Sequence, residues 1–169
     1  MTTRRTDTIP DKDELLRVCR GGPTGDNPIL AAATELALLH EMWLERATHA
    51  GGHLDDARLR WIGAIDYLVA AMTPTPRPSA LLHTETVGCV VDRMAYLTAL
   101  AFTTLASEPD SVFHHINVQL NDLAVGYQHL VLELRAGAKH LPASIGGLEY
   151  RYLRRQQSRC TCGFTNEDM

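Results

Sequence analysis

Residues 109–137 read PDSVFHHINVQLNDLAVGYQHLVLELRAG, and the spacing of their apolar side chains decides the fold class. Ile116, Leu120, Leu123, Tyr127, Leu130 and Leu134 recur at alternating steps of four and three, the period of one face of an α-helix. Pro109 or Asp110 opens this helix, and Gly137 is placed to cap its end.

Working outward, the same period returns three times. Before the helix just quoted, a stretch from about His83 to Ala106 carries Val87, Val90, Met94, Leu97, Ala101 and Leu105 on one face. Ahead of it lies Thr73–Ser79, where Pro74, Pro76 and Pro78 remove backbone donors and fix φ, so the chain there is a stiff, partly extended connection. Trp61, Ile65, Leu68 and Met72 mark a helix ending near Met72, with Asp55 and Asp56 in its first turn, where negative charge meets the positive helix end. Ile29, Ala32, Leu36, Leu39, Trp43 and Ala47 mark one from Pro28 to about His49, capped by Asn27 and ended by Gly51-Gly52.

A short helix is predicted from Asp11 to about Arg20, ended by Gly21-Gly22-Pro23, and another around Leu148 and Tyr152 after Gly146-Gly147. No stretch alternates with period two over a strand length. Four long helices with one apolar stripe each predict an all-α four-helix bundle with short additional N- and C-terminal helices. Residues 1–26 form a tail with its short helix, 28–137 the bundle, and 138–169 a C-terminal extension.

Composition narrows the function classes. The chain has 169 residues, 45% apolar and 21% charged, as an ordinary globular domain does. No apolar run approaches the ~18 to 20 residues that span a bilayer. The N-terminus has basic residues but no apolar core of a secretory signal. The expectation is a cytoplasmic protein with no membrane partner. A net charge of -4 argues against nucleic acid as a partner, because that affinity rests on neutralising phosphates. Basic residues are 14 Arg against 2 Lys, which with abundant Ala and Leu reads as a GC-rich, actinobacterial genome. Arg151, Arg154, Arg155 and Arg159 make one basic segment, read as a solvated helix face, with an anionic partner as the alternative.

Metal chemistry has few footholds. Glu-x-x-His and His-Glu-x-x-His are absent, so the usual helical di-iron and zinc patterns are not present. His115, Gln119, Asp122 and His129 share one side of the 109–137 helix, as a solvated face or as part of a mononuclear metal site. Cys160 and Cys162 could place two thiolates on a soft metal, but a structural zinc needs four ligands, and an exposed, oxidisable tail is the simpler reading. Gly-rich phosphate loops and the Gly-x-Ser-x-Gly nucleophile motif are missing. Arg135 and His140 match an Arg-x4-His spacing that this composition supplies by chance. No cofactor is indicated.

Polar residues inside apolar stretches are more informative. Asp66 sits within Trp61-Ile-Gly-Ala-Ile-Asp-Tyr-Leu-Val69, and Glu85 and Asp92 are seven apart with Arg93 beside Asp92. A buried carboxylate needs a partner or a raised pKa. One reading is an internal ion pair, with Arg93 or another arginine, that fixes helix register. The other is a pocket lined by Asp66, Glu85, Asp92 and Arg93, with His40 or His83 nearby, able to do acid–base or metal-assisted chemistry.

Leu82-His-Thr-Glu85-Thr-Val-Gly88, followed by Asp92-Arg93-Met94 and Leu97, resembles a bacterial family known as domain of unknown function 4254. Ile65-Asp66 is similar to that family's preceding Ile-Asp element, and Trp43 with Glu45 to its first-helix Trp and acidic residues; residues 28–137 would align. Here His83 stands where the family has Asn, Val87 where it has Pro, and Val69 where it has Asn. The resemblance implies an α-helical protein and no particular chemistry. Two functions follow as expectations. The first is a non-catalytic accessory protein, homodimeric or bound to a protein partner, or binding a small ligand. The second is a small helical enzyme using the interhelical pocket.

Overall fold

Val87, Val90, Val91, Met94, Ala95 and Ala99 are all buried, so the helix that carries them is covered on more than one side. A helix with so wide an apolar arc belongs at the centre of a fold. This is α4, Val87–Leu105, and it packs against α2 (Pro28–Glu45), α3 (Gly51–Met72), α5 (Asp110–Arg135) and the short α1 (Lys12–Cys19). A computed structural model describes residues 8–45, 51–105 and 108–144 of the chain. Its described helices make the protein all-α, as the periodicities predict. The other three long helices surround α4 unevenly: α2 and α3 lie together on it, whereas α5 packs on α4 and α1.

Local sequence accounts for most of the boundaries. Asp11 caps α1 through a reciprocal capping box with Glu14, and Asn27 Oδ1 accepts from the N–H groups of Ile29 and Leu30 at the start of α2. At the end of α5, Gly137 adopts φ +65°, and Gly137 N and Ala138 N donate to Leu134 O and Glu133 O, a Schellman cap that needs the left-handed glycine. The α5 stripe is buried as expected, with Leu123 half-buried.

Three expectations are corrected. Gly51 and Gly52 open α3 and do not end the preceding helix, which moves Asp55 and Asp56 out of the first turn; a helical glycine costs only about 1 kcal/mol, which packing further along the helix outweighs. The third predicted helix begins at Val87 and not near His83, because Leu81–Leu82 (β1) pairs in parallel with Lys139–His140 (β2) and Thr86 caps the helix through the N–H of Cys89. Trp43 and Leu105 are 52% and 61% exposed, beyond the reach of the core at the ends of their helices. Ala47, the predicted helix around Leu148, the basic segment and Cys160 and Cys162 lie outside the described residues.

The N-terminal segment is tied to α5 by long-range bonds. Tyr127 Oη donates to Pro10 O at 2.8 Å, Arg135 Nη2 to Ile9 O at 2.7 Å, and Lys12 N to Gln128 Oε1 at 3.1 Å. Burial pushes the Tyr127 hydroxyl pKa upward, so it stays a donor. Burial also pushes the Cys19 thiol up to about 12, which keeps it protonated.

At the junction of α3 and α4 the two backbones nearly touch. A Cβ on Gly88 would stand 2.4 Å from Ile62 O and 2.8 Å from Asp66 Oδ1. Gly88→Ala is therefore expected to force the helices apart and to destabilise the protein by about 2–3 kcal/mol. A urea midpoint equal to wild type would contradict that packing.

Candidate functional site

The seam between α3 and α4 carries two buried carboxylates, each with a different task. Along α3, Arg58, Ile62 and Asp66 follow one another at steps of four; along α4, Gly88, Asp92 and Tyr96 do the same. The helices run antiparallel, so Asp66 meets Gly88 and Arg58 meets Asp92.

Asp66 is a structural cap. Its Oδ1 accepts the Gly88 N–H at 2.7 Å, putting negative charge on the positive N-terminal end of α4, and its Oδ2 accepts the Ser144 hydroxyl at 2.5 Å. Both carboxylate oxygens are thus engaged, in a residue only 6% exposed. Ser144 follows β2, so this carboxylate also holds the chain that leaves the β1–β2 clasp.

Asp92 is the centre of a second group. Arg58 Nε donates to both of its oxygens at 2.9 and 3.0 Å, and His40 Nε2 lies 2.9 Å from Oδ1. Burial alone would push the Asp92 carboxyl up, but the hydrogen bonds from His40 and Arg58, with their charges, outweigh it and hold the pKa below the ordinary value of 3.8. The same bond to Asp92 raises the Arg58 guanidinium still further above its ordinary value. Arg58 Nη1 also stands 3.6 Å from Asp55, one helical turn earlier. This group forms the polar floor of a cavity of about 370 Å³ between α2, α3 and α4, whose apolar walls are Leu39, Trp43, Leu54 and Tyr96. The Tyr96 ring sits edge-on to both His40 and Trp43, with centroids 5.4 and 6.5 Å away. A half-apolar concavity with a few fixed polar groups is the usual form of a small-molecule site.

The residues expected to converge are thus divided. His40, Asp92 and Arg93 line this cavity. Arg93 is not the partner of Asp92, since adjacent helical residues point about 100° apart; it donates to Glu85 at 2.8 Å in a largely exposed pair. Glu85 precedes α4, so its seven-residue spacing from Asp92 does not put the two on one face. His83 Nδ1 accepts from the Glu85 N–H at 3.2 Å, a local turn contact. Asp66 faces a separate concavity bounded by the Pro74–Pro76 segment and residues 139–144. Arg58 went unrecognised in the sequence, although it lies four residues before buried Ile62 on the inner face of α3.

His115, Asp122 and His129 lie on the exposed side of α5, and the His115 ring is 2.8 Å from the Gln119 amide, one helical turn along. Among the described residues no three His, Cys, Asp or Glu side chains are grouped to hold a metal ion. None of the described helices is long and apolar enough to cross a membrane.

Fold and site together define an all-α protein with a polar-floored cleft between three helices. A family model described as a protein of unknown function (DUF4254) matches residues 46–143, and the chain belongs to that family. The match takes in Arg58, Asp66, Gly88 and Asp92, and begins after His40, Trp43 and Glu45. No curated protein and no solved structure matches the chain.

Because Asp92 titrates below its ordinary value, its contribution is present above about pH 4 and is lost as pH falls through the lowered folded-state value. Asp92→Ala, which leaves His40 and the half-exposed Arg58 without their acceptor, should cost about 2 kcal/mol at pH 7. The difference from wild type should shrink steadily on acidification in thermal unfolding; a difference that stays constant down to pH ~2.5 would refute the assignment.

Proposed function

We propose that the protein is a cytoplasmic, non-catalytic accessory protein of helical-bundle form that binds a small ligand in the cleft between α2, α3 and α4. The observation that carries this reading is the His40–Asp92–Arg58 group, its partners already satisfied, at the floor of a cleft with aromatic walls. A carboxylate holding an arginine and a histidine in fixed positions presents prearranged donors at little further cost in entropy. Trp43, half-exposed and in edge contact with Tyr96, supplies the apolar contact area.

A second reading is supported by the 2.9 Å contact between His40 and Asp92. A carboxylate that orients an imidazole is the arrangement acid–base enzymes use, with His40 moving the proton and Asp92 fixing its ring. In that reading Arg93 and Arg58 would neutralise charge on a bound substrate.

The test uses thermal unfolding in the presence of a panel of short carboxylates, phosphate esters and small aromatic amines. Saturation at a hundredfold excess over Kd stabilises the fold by about 2.7 kcal/mol. At least one class should raise the melting temperature of wild type and fail to do so with Trp43→Ala, each shift being read against that variant's own ligand-free melting temperature. No shift across the panel, or one that Trp43→Ala retains, would remove the cleft as the binding site.

A further inference from the structure

We infer that α5 is the dimerisation element of this protein, its outer face packing antiparallel against α5 of a second copy with the two-fold axis near Val125. The face directly opposite the core carries His115, Val118, Asp122, Val125, His129, Leu132 and Ala136, at alternating steps of three and four. All seven are exposed, and Val118, Val125 and Leu132 are 44%, 39% and 53% exposed at an interval of seven. The other helices meet α5 on its buried side: α4 and α1 pack there, and its final turn leads into β2. A seven-residue apolar repeat on the solvent side of a 26-residue helix has the period of a helix–helix seam.

Charge complementarity selects both the occupant and the direction. Parallel packing of two copies would set Asp122 against Asp122 and each histidine against itself. Antiparallel packing about Val125 sets Val118 against Leu132 of the second copy, Val125 against its own counterpart, and Asp122 beside His129. Two apolar layers then flank the central one, and an acid–imidazole contact fills each gap between them. A two-fold contact must be self-complementary, and this face satisfies that condition in one orientation only. A single helix pair covers less than the ~800 Å² per partner of a standard stable interface, so the dimer is a weak, micromolar one.

Sedimentation equilibrium of the full chain, from micromolar to submillimolar concentration at neutral pH, reads the association directly. Wild type should show a monomer–dimer equilibrium. Val125→Arg, which brings like charges to the axis, should weaken it about tenfold or more, with an unchanged melting temperature at low concentration to show that the fold survives. His129→Asp should weaken it as well, by opposing two carboxylates. The double exchange Asp122→His with His129→Asp should restore it, because reversing both members leaves the antiparallel pair complementary. A protein that stays monomeric throughout, a dimer indifferent to Val125→Arg, or a double exchange no better than His129→Asp alone would each overturn the inference.

Discussion

The contact between the Asp66 carboxylate and the N–H of Gly88 is the constraint on which the arrangement of the central helices depends. A carboxylate inside a fold is costly unless its oxygens are bonded, and here one oxygen is bonded by the first turn of α4 and the other by Ser144. To reach that bond α3 and α4 must approach until Ile62 O lies where any other residue at position 88 would have its Cβ. Glycine and aspartate are thus two halves of one requirement. Once they are met, the register of α3 on α4 is set, and with it the position of every group further along the seam.

The cleft follows from that register. One turn along α4 from Gly88, Asp92 lies within reach of Arg58 from α3 and of His40 from α2. Three helices therefore contribute to one polar group, and the geometry of each depends on the packing of the other two. The Asp92 group and the Asp66 cap look alike in the sequence, as carboxylates in apolar surroundings, and both are buried with their oxygens bonded, but they differ in partners. Asp66 is bonded by a backbone N–H and the Ser144 hydroxyl, whereas Asp92 is bonded by two side chains, Arg58 and His40, at the floor of the aromatic-walled cleft.

Much of the fold was legible because its signals are local. Caps at Asn27 and Gly137 act within a turn or two, and the α5 stripe needs only the helical period. Errors arose where distant parts of the chain decide. The helix expected from about His83 begins four residues later, because residues 138–140 draw Leu81 and Leu82 into a parallel clasp that nothing nearby announces. The wide buried arc of α4 was under-read as a single stripe, since a period of 3.6 does not say how many neighbours a helix has. For the site, Asp66, Asp92 and His40 stood out by polarity against their surroundings. Arg93 stands out over Arg58 because adjacency in sequence is visible, while the separation of 34 positions between Arg58 and Asp92 is closed only by the antiparallel packing of α3 on α4.

The bonds from Tyr127, Arg135 and Gln128 to residues 9–12 have a bearing on how the molecule is made. They join positions separated by 116 to 126 residues, close to the full span of the described fold. During synthesis the segment around Ile9 and Pro10 emerges well before its anchoring partners on α5. Helices α1 to α4 have most of their mutual contacts available before then, whereas the bonds that tie residues 9–12 to α5 form only after α5 has left the ribosome. The anchoring of residues 9–12 is thus completed late, and the loop that closes at that moment takes in nearly all of the described fold.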